Sequence, residues 1–224
     1  MTIDRLVGRF VRLDVCLVSD AMDVLGIEGF APGLQRLCTE RRVAGRVVTV
    51  QLVPARGTAA KQHLGARAIE VAGPADVIVV ANDGRSNSAA WGGLLSAAAS
   101  VKGLGGVVVD GLCRDVDESR ELGFPVFGRG CMPLTARGRV VEAATNERVV
   151  ISGVTVDPGD LVVADGSGVV FVPAARADAV VSTAERIGDK ESRMMRAIRE
   201  GRPIAQVLDA RYEAMLEEQG EEVG

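Results

Sequence analysis

Residues 92–130 read GGLLSAAASVKGLGGVVVDGLCRDVDESRELGFPVFGRG, and their pattern indicates the class of fold. Small and apolar residues with helical spacing follow the glycine pair, and a run of valines stands at 106–110. A helix that leads into a continuously apolar strand is typical of an α/β protein whose strands are buried on both faces. The glycines at 103–106 follow the helix and precede the strand, whereas the glycine loops that bind nucleotide cofactors follow a strand. We therefore interpret them as a helix end and turn only, which argues against a nucleotide-binding protein or a methyltransferase.

The same alternation continues on both sides of this stretch. Further predicted elements are a helix with Ser19 as its N-cap, strands at 43–53 and 76–81, helices at 58–72 and 115–122, an edge strand at 124–130, antiparallel hairpins at 149–173, and helices at 174–200 and 203–218. The pattern predicts one α/β domain over residues 1–224, with mixed β-sheets flanked by helices. We expect its core at about 19–173 and a C-terminal helical arm at about 174–218.

Composition and charge exclude several classes of function. The 224 residues include one His and four Cys without CxxC spacing, which excludes a His-rich zinc site, argues against a disulfide scaffold and favours a reducing cytoplasm. Only 3% of residues are aromatic and the net charge is −4, which argues against nucleic-acid binding. Because no apolar run reaches about 18 residues, we expect no membrane span and a cytoplasmic protein.

The glycine pair and the residues after the valine strand are the candidate site. Gly92 and Gly93 open a helix, whose unpaired N–H groups and dipole can hold an anion, although an ordinary loop-to-helix junction has the same pattern. Arg114 offers a planar fork for a carboxylate, and Asp115 offers an oxygen ligand for Mg²⁺ or Mn²⁺. Two structural alternatives remain open: Asp115 and Glu118 form a capping box, and Arg114 pairs with Asp110.

The order of these motifs resembles the RraA-like family. The resemblance rests on GGLL, on VVVDG-x-x-RD-x-x-E, on LGFPVFGRG and on PGDLVVADGSGVVFVP, and it runs from about Ser19 to Pro173. The family includes class II pyruvate aldolases that act on 4-hydroxy-4-methyl-2-oxoglutarate and 4-carboxy-4-hydroxy-2-oxoadipate, oxaloacetate decarboxylases, and a branch that regulates ribonuclease E. Its aldolase signature, Gly-x20-Arg-Asp-x2-Glu/Asp, is matched by Gly93, Arg114, Asp115 and Glu118.

The resemblance implies a swivelling β/β/α-like fold and a divalent-metal-dependent lyase that releases pyruvate as its enolate and also decarboxylates oxaloacetate. The backbone amides of the stretch Gly92, Gly93, Leu94 and Leu95 would hold the pyruvyl group of a small 2-oxo acid. Arg114 would contact that group, Asp115 would bind Mg²⁺ or Mn²⁺, and Glu118 would complete the catalytic set. The alternative is a non-catalytic regulator that binds a ribonuclease, but that branch lacks the acidic residue that this chain has as Asp115.

Three further expectations concern assembly and the remaining polar residues. The resemblance implies a homotrimer or hexamer with sites between subunits, and Glu191 on the C-terminal helix could then reach a neighbouring site. Some family members have an acidic residue where this chain has Gly93, so the resemblance assigns no general base here. We expect His63 to be a structural or surface residue on a helix face.

Overall fold

Uniformly apolar strands form the centre of the main sheet. The structure, a computed structural model, describes residues 3–57 and 63–208. Strand β3 (Val77–Ala81) is buried at every residue and pairs in parallel with β5 (Gly106–Cys113). The long strand β2 (Val43–Pro54) lies in parallel on the other side of β3. These are the strands that the valine-rich runs predict, and burial on both faces explains why their residues do not alternate with polar ones.

The sheet curves until its two ends approach each other. Its order is β1–β6–β5–β3–β2–β10–β11, where β1 is Gln35–Cys38, β6 is Val126–Cys131, β10 is Leu161–Asp165 and β11 is Gly168–Val172. An isolated bridge joins Phe30, shortly before β1, to Val170 in β11. The fold is therefore a mixed α/β single domain with a nearly closed, barrel-like sheet.

Two short strands and two hairpin strands complete the sheets. The first two are β4 (Ala89–Trp91), which pairs with β5, and β7 (Val140–Thr145), which pairs with β2. Strands β8 (Val149–Ile151) and β9 (Val154–Val156) form a separate antiparallel hairpin. Because β10 and β11 are also antiparallel neighbours, the predicted hairpins at 149–173 are confirmed.

Helices cover the outside of the barrel in two groups. The helices are α1 (Ile3–Phe10), α2 (Val15–Val24), α3 (Ala66–Val71), α4 (Gly93–Val101), α5 (Val116–Glu121), α6 (Ala177–Arg199, after a 3₁₀ turn at Ala174–Arg176) and α7 (Ile204–Val207). Helices α3 and α4 pack on one apolar cluster, which includes Trp91 and Leu95, whereas α1, α2 and α6 pack on a second. A third cluster, with Phe127 and Phe171, fills the barrel. Among the residues described, no helix is both long enough and apolar enough to span a membrane.

Several predicted boundaries are wrong for identifiable reasons. The N-cap of α2 is Asp14, whose carboxylate accepts from the Leu17 N–H at 2.9 Å, and not Ser19, because Val15 and Val18 extend the buried face back by one turn. The strand at 124–130 is not at the edge of the sheet, because the short strand β1, which the sequence pattern does not predict, lies outside it. Helix α3 is shorter than the predicted 58–72, and α7 is shorter than 203–218; residues 58–62 and 209–218 lie outside the described part.

The glycines at 103–106 have two different roles. Gly103 ends α4 with φ +76°, as a helix-end glycine should. Gly105 and Gly106 are not turn residues only: a Cβ there would lie 2.8 Å from the Ala75 carbonyl oxygen and 3.0 Å from the Pro125 carbonyl oxygen. They allow neighbouring backbone segments to approach the start of β5 closely.

Candidate active site

The N-terminus of α4 lies against the residues that follow β5. Gly92 is the extended N-cap of α4, and the Gly93 N–H donates to Asp115 Oδ2 at 3.0 Å. The first N–H groups of a helix have no acceptor within it, so those of Leu94 and Leu95 stay available to a ligand. The structure therefore brings together the glycine pair and Asp115, which are more than 20 residues apart in sequence.

Asp115 is held in a rare backbone conformation by its side-chain contacts. Its φ and ψ are 54° and 40°, in the left-handed region, which for a residue other than glycine costs about 1–3 kcal/mol. Both carboxylate oxygens lie 3.1 Å from Arg114 Nε, and Oδ2 also accepts from Gly93. The capping-box interpretation is wrong, because the Asp115 side chain makes no cap hydrogen bond to α5. Glu118 is exposed on α5, close to Gly93.

Asp110 belongs to a different group of residues. Its buried carboxylate accepts from Arg129 Nε at 2.6 Å and from the Ser152 N–H at 2.9 Å. The alternative in which Arg114 pairs with Asp110 is therefore wrong. A sequence alone could not choose between Arg114 and Arg129, because adjacent strands of the sheet bring Arg129 beside Asp110.

A cavity of about 240 Å³ lies over the contact between Gly93 and Asp115. That volume is below the roughly 300–1,000 Å³ of pockets that bind drug-sized ligands, so it suits a small acid. One wall consists of the predicted site residues, from Gly92 to Leu95 together with Arg114 and Asp115. The other residues that line it are His63, Leu64, Ala89, Ala90, Trp91, Thr135, Ala136 and Arg137.

The other residues that line the cavity come from segments in which the sequence predicts no site residue. Trp91 lies in β4, and its indole N–H donates to Ser96 Oγ at 3.0 Å. Ser96 Oγ in turn lies 2.8 Å from Ser119 Oγ, which fixes α4 against α5. The prediction that His63 lies on a helix face is wrong. His63 is exposed just before the turn that leads into α3, and it lines the cavity.

Two other ionisable side chains lie outside the lining of this cavity. Cys113 is fully buried, and burial raises the pKa of its thiol, which agrees with a packing role. Glu191 lies on α6 in another groove, which it shares with Asp14, Arg42 and Asp165. Burial, with help from Asp20 and Asp14, raises the pKa of Glu191.

A larger groove of about 610 Å³ lies on another face of the protein. Its described lining includes Asp23 and Glu28 and no basic side chain. Because an acidic groove disfavours an anionic ligand, the smaller cavity at Arg114 is the better candidate site.

The residues at the smaller cavity fit a divalent cation that has few ligands from the protein. Mg²⁺ is usually bound by one or two protein carboxylates, with water and substrate oxygens as the other ligands. Asp115 supplies one carboxylate, which is 31% exposed, and its Oδ1 has Arg114 Nε as its protein donor. Within residues 3–57 and 63–208, no group of three or more acidic, His or Cys side chains is arranged to hold a metal. Asp115 is therefore the residue that would hold such a cation.

Comparisons with known proteins agree with this architecture. The family described as RraA-like: Aldolase/RraA matches residues 15–171. A Halalkalibacterium halodurans protein named "Putative 4-hydroxy-4-methyl-2-oxoglutarate aldolase" is 30% identical over 192 residues, which cover 86% of this chain and 88% of that protein. The crystal structure of Streptomyces coelicolor RraAS2, described as an unusual member of the RNase ES inhibitor RraA protein family, superposes with a TM-score of 0.78 at 31% identity, covering 85% of this chain and 96% of that one.

The fold and the cavity define a mixed α/β protein of one domain with its candidate site at the carboxyl end of a central strand. The chain belongs to the RraA-like family. It is also 32% identical to Protein DlpA of Legionella pneumophila over 208 residues, or 93% of this chain. The match covers 34% of that protein, so this chain spans about a third of the length of that relative.

Proposed function

We propose that the chain is a divalent-metal-dependent lyase that cleaves a 4-hydroxy-2-oxo acid and releases pyruvate. The observation that carries the proposal is the joint placement of Arg114, Asp115 and the N-terminal amides of α4 at one small cavity. Relatives named as aldolases support a lyase.

The chain's own residues would bind and orient the 2-oxo acid. The N–H groups of Leu94 and Leu95, at the positive end of the helix dipole, suit a carboxylate or a 2-oxo oxygen. The Arg114 guanidinium remains 39% exposed although its Nε contacts Asp115, so its outer N–H groups can donate to the substrate. Both sets of donors are fixed before the reaction, which is the arrangement that stabilises charge developing in a transition state.

Cleavage of the C3–C4 bond leaves negative charge on the 2-oxo oxygen as the pyruvate enolate forms. Arg114 and the α4 amides lower the energy of that charge. A divalent cation bound by Asp115 would add Lewis-acid stabilisation of the same charge. Decarboxylation of oxaloacetate passes through the same enolate, so we propose it as a second reaction of this site.

A regulator that binds a ribonuclease is the second candidate function, and the structural similarity to RraAS2 supports it. The Asp115 carboxylate at the cavity favours the enzyme, because the resemblance gives the ribonuclease-regulating branch no acidic residue at this position. We also propose that copies of the chain assemble as a trimer or hexamer. Exposed apolar residues on α4, Leu94 at 83% and Val101 at 92%, support an interface beside the site, and light scattering would measure the oligomeric state.

A coupled assay tests the proposed activity. The purified protein, with Mg²⁺ or Mn²⁺, is offered 4-hydroxy-4-methyl-2-oxoglutarate and, separately, oxaloacetate, and pyruvate is measured with and without EDTA. We expect pyruvate that EDTA abolishes and that added cation restores. Absence of pyruvate from both substrates would contradict the enzyme, and direct binding to a ribonuclease would then support the regulator.

A further inference from the structure

The cavity contains one proton acceptor that the proposed function does not use. Cleavage of a 4-hydroxy acid needs a group that accepts the hydroxyl proton. Asp115 is engaged by Gly93 and Arg114, and the two arginines at the cavity, Arg114 and Arg137, cannot accept a proton. Among the described residues that line the cavity, His63 is the titratable side chain that remains.

A backbone contact engages one nitrogen of the His63 ring. Its Nδ1 lies 3.0 Å from the carbonyl oxygen of Leu64. Because a carbonyl only accepts, this contact assigns the hydrogen to Nδ1 and leaves a lone pair on Nε2.

The turn that contains His63 is fixed to the barrel. The Gly65 N–H donates to Glu142 Oε2, on β7, at 2.6 Å. Gly65 has φ +76°, and a Cβ there would lie 3.2 Å from the Trp91 ring at the cavity floor. These contacts fix Gly65, two residues after His63, beside the cavity.

We propose that His63 is the general base for cleavage, an inference that rests on the proposed function. Nε2 accepts the proton of the 4-hydroxyl group, the O–H electron pair forms the new C=O bond, and the C3–C4 electron pair moves to C3 and delocalises as the enolate. The same proton then returns from Nε2 to C3, giving the pyruvate methyl group. Gly93 carries no carboxylate, so the proton transfer falls to His63, which lines the same cavity. The charged groups around it are Arg137, Arg114, Asp115 and Glu142.

Comparison of 4-hydroxy acid cleavage with oxaloacetate decarboxylation distinguishes a proton-transfer role of His63 from a purely structural role. Oxaloacetate has no 4-hydroxyl proton to remove, and its enolate can be protonated by water, so its decarboxylation does not require His63. A change at His63 that only disturbed the cavity would slow both reactions. A change that removed the base would slow only the cleavage.

The experiment compares His63→Asn with Arg67→Gln, an exposed residue on α3 that does not line the cavity. For His63→Asn, we expect kcat for 4-hydroxy-4-methyl-2-oxoglutarate to fall by about 100-fold or more, which is the usual contribution of a general base. Oxaloacetate decarboxylation should stay within about 2-fold of the rate of the unmodified protein. Arg67→Gln should match the unmodified protein in both reactions.

Each other outcome overturns a defined statement. Equal loss in both reactions, or no loss in either, would overturn the role of His63 and leave the lyase proposal intact. Decarboxylation without cleavage in the unmodified protein would overturn the proposed cleavage and the base together. No pyruvate from either substrate would overturn the proposed function itself, and with it the base.

Discussion

The Gly93 N–H and Asp115 Oδ2, 3.0 Å apart, join the start of α4 to the residue that follows β5 and Arg114. This hydrogen bond satisfies one N–H at the helix terminus and fixes the carboxylate in the cavity at the same time. It also explains how Asp115 keeps a left-handed backbone, since the side chain is bound on both sides, by Gly93 and by Arg114. Gly93 and the adjacent pair Arg114 and Asp115, which are distant in the sequence, are thus linked at one point of the fold.

Asp115→Asn should abolish activity and leave the fold intact. Asparagine tolerates the left-handed region and retains an oxygen that can accept from the Gly93 N–H, but it lacks the negative charge that a cation requires. We expect kcat/KM for pyruvate release to fall by about 100-fold or more. Calorimetry should show that the thermal midpoint changes by no more than about 2–4 °C, the equivalent of about 1 kcal/mol.

Asp117→Asn is the matched control, because Asp117 is 82% exposed and pairs with Arg120 at the surface of α5. It should retain full activity. Unchanged activity in Asp115→Asn would show that the assignment of the site is wrong.

Gly92→Ala should impair the site through a steric contact. A Cβ at Gly92 would lie 2.8 Å from Asp115 Oδ2 and 3.0 Å from Arg114 Cγ, so both side chains must move. We expect at least about a 10-fold loss of kcat/KM, since misplaced catalytic groups are costly. The thermal midpoint should fall by only a few degrees, about 1 kcal/mol, because the atoms that must move are side-chain atoms near solvent.

Gly8→Ala is the control for that substitution. Gly8 lies in α1, and a Cβ there would meet nothing within 4 Å. Alanine favours the helix, so this variant should be more stable by about 0.4–1 kcal/mol and fully active. If Gly92→Ala were as active as Gly8→Ala, the position of Asp115 would not matter to the reaction.

The central strands and one wall of the site were predictable because their signals are local. The valine runs of β3 and β5, the glycine pair and the spacing from Gly93 to Arg114 and Asp115 are all visible in consecutive residues. The second wall was not predictable, because His63 and Arg137 are brought there by the pairing of strands distant in sequence. The backbone conformation of Asp115 was hidden as well, since Asp-x-x-Glu is also the pattern of an ordinary helix cap.

Asp110→Ala should destabilise the protein and leave the chemistry unchanged. The Asp110 side chain is 4% exposed, and its loss leaves Arg129 and the Ser152 N–H without their acceptor. Breaking a buried pair costs about 3–5 kcal/mol, but Arg129 is 32% exposed and can regain water, so we expect about 2 kcal/mol. Urea denaturation measures this, with Asp157→Ala as the control because the Asp157–Arg148 pair is exposed and should matter little. Equal stability of the two variants would contradict the structural role of Asp110.

Glu191→Gln should stabilise the protein at neutral pH and not in acid. Burial, followed by the charges of Asp20 and Asp14, raises the pKa of Glu191 in the folded state. A carboxyl group whose pKa is raised in the folded state binds its proton more tightly there than in the unfolded chain. The free energy of unfolding therefore falls as the pH rises from the unfolded-state pKa through the folded-state pKa. Glutamine has no charge to bury, and the gain at pH 7 should be below about 1 kcal/mol because solvent screens this partly exposed group.

The measurement is the thermal midpoint of Glu191→Gln and of the unmodified protein at pH 7 and at pH 4. The difference should be present at pH 7 and should shrink towards zero at pH 4, where the native carboxyl is protonated in the folded state. Glu121→Gln, at an exposed position at the end of α5, should show no such pH-dependent gain. A variant that gains stability and loses pyruvate release would support the expectation that Glu191 acts in a neighbouring subunit, whereas a gain at both pH values would contradict the electrostatic explanation.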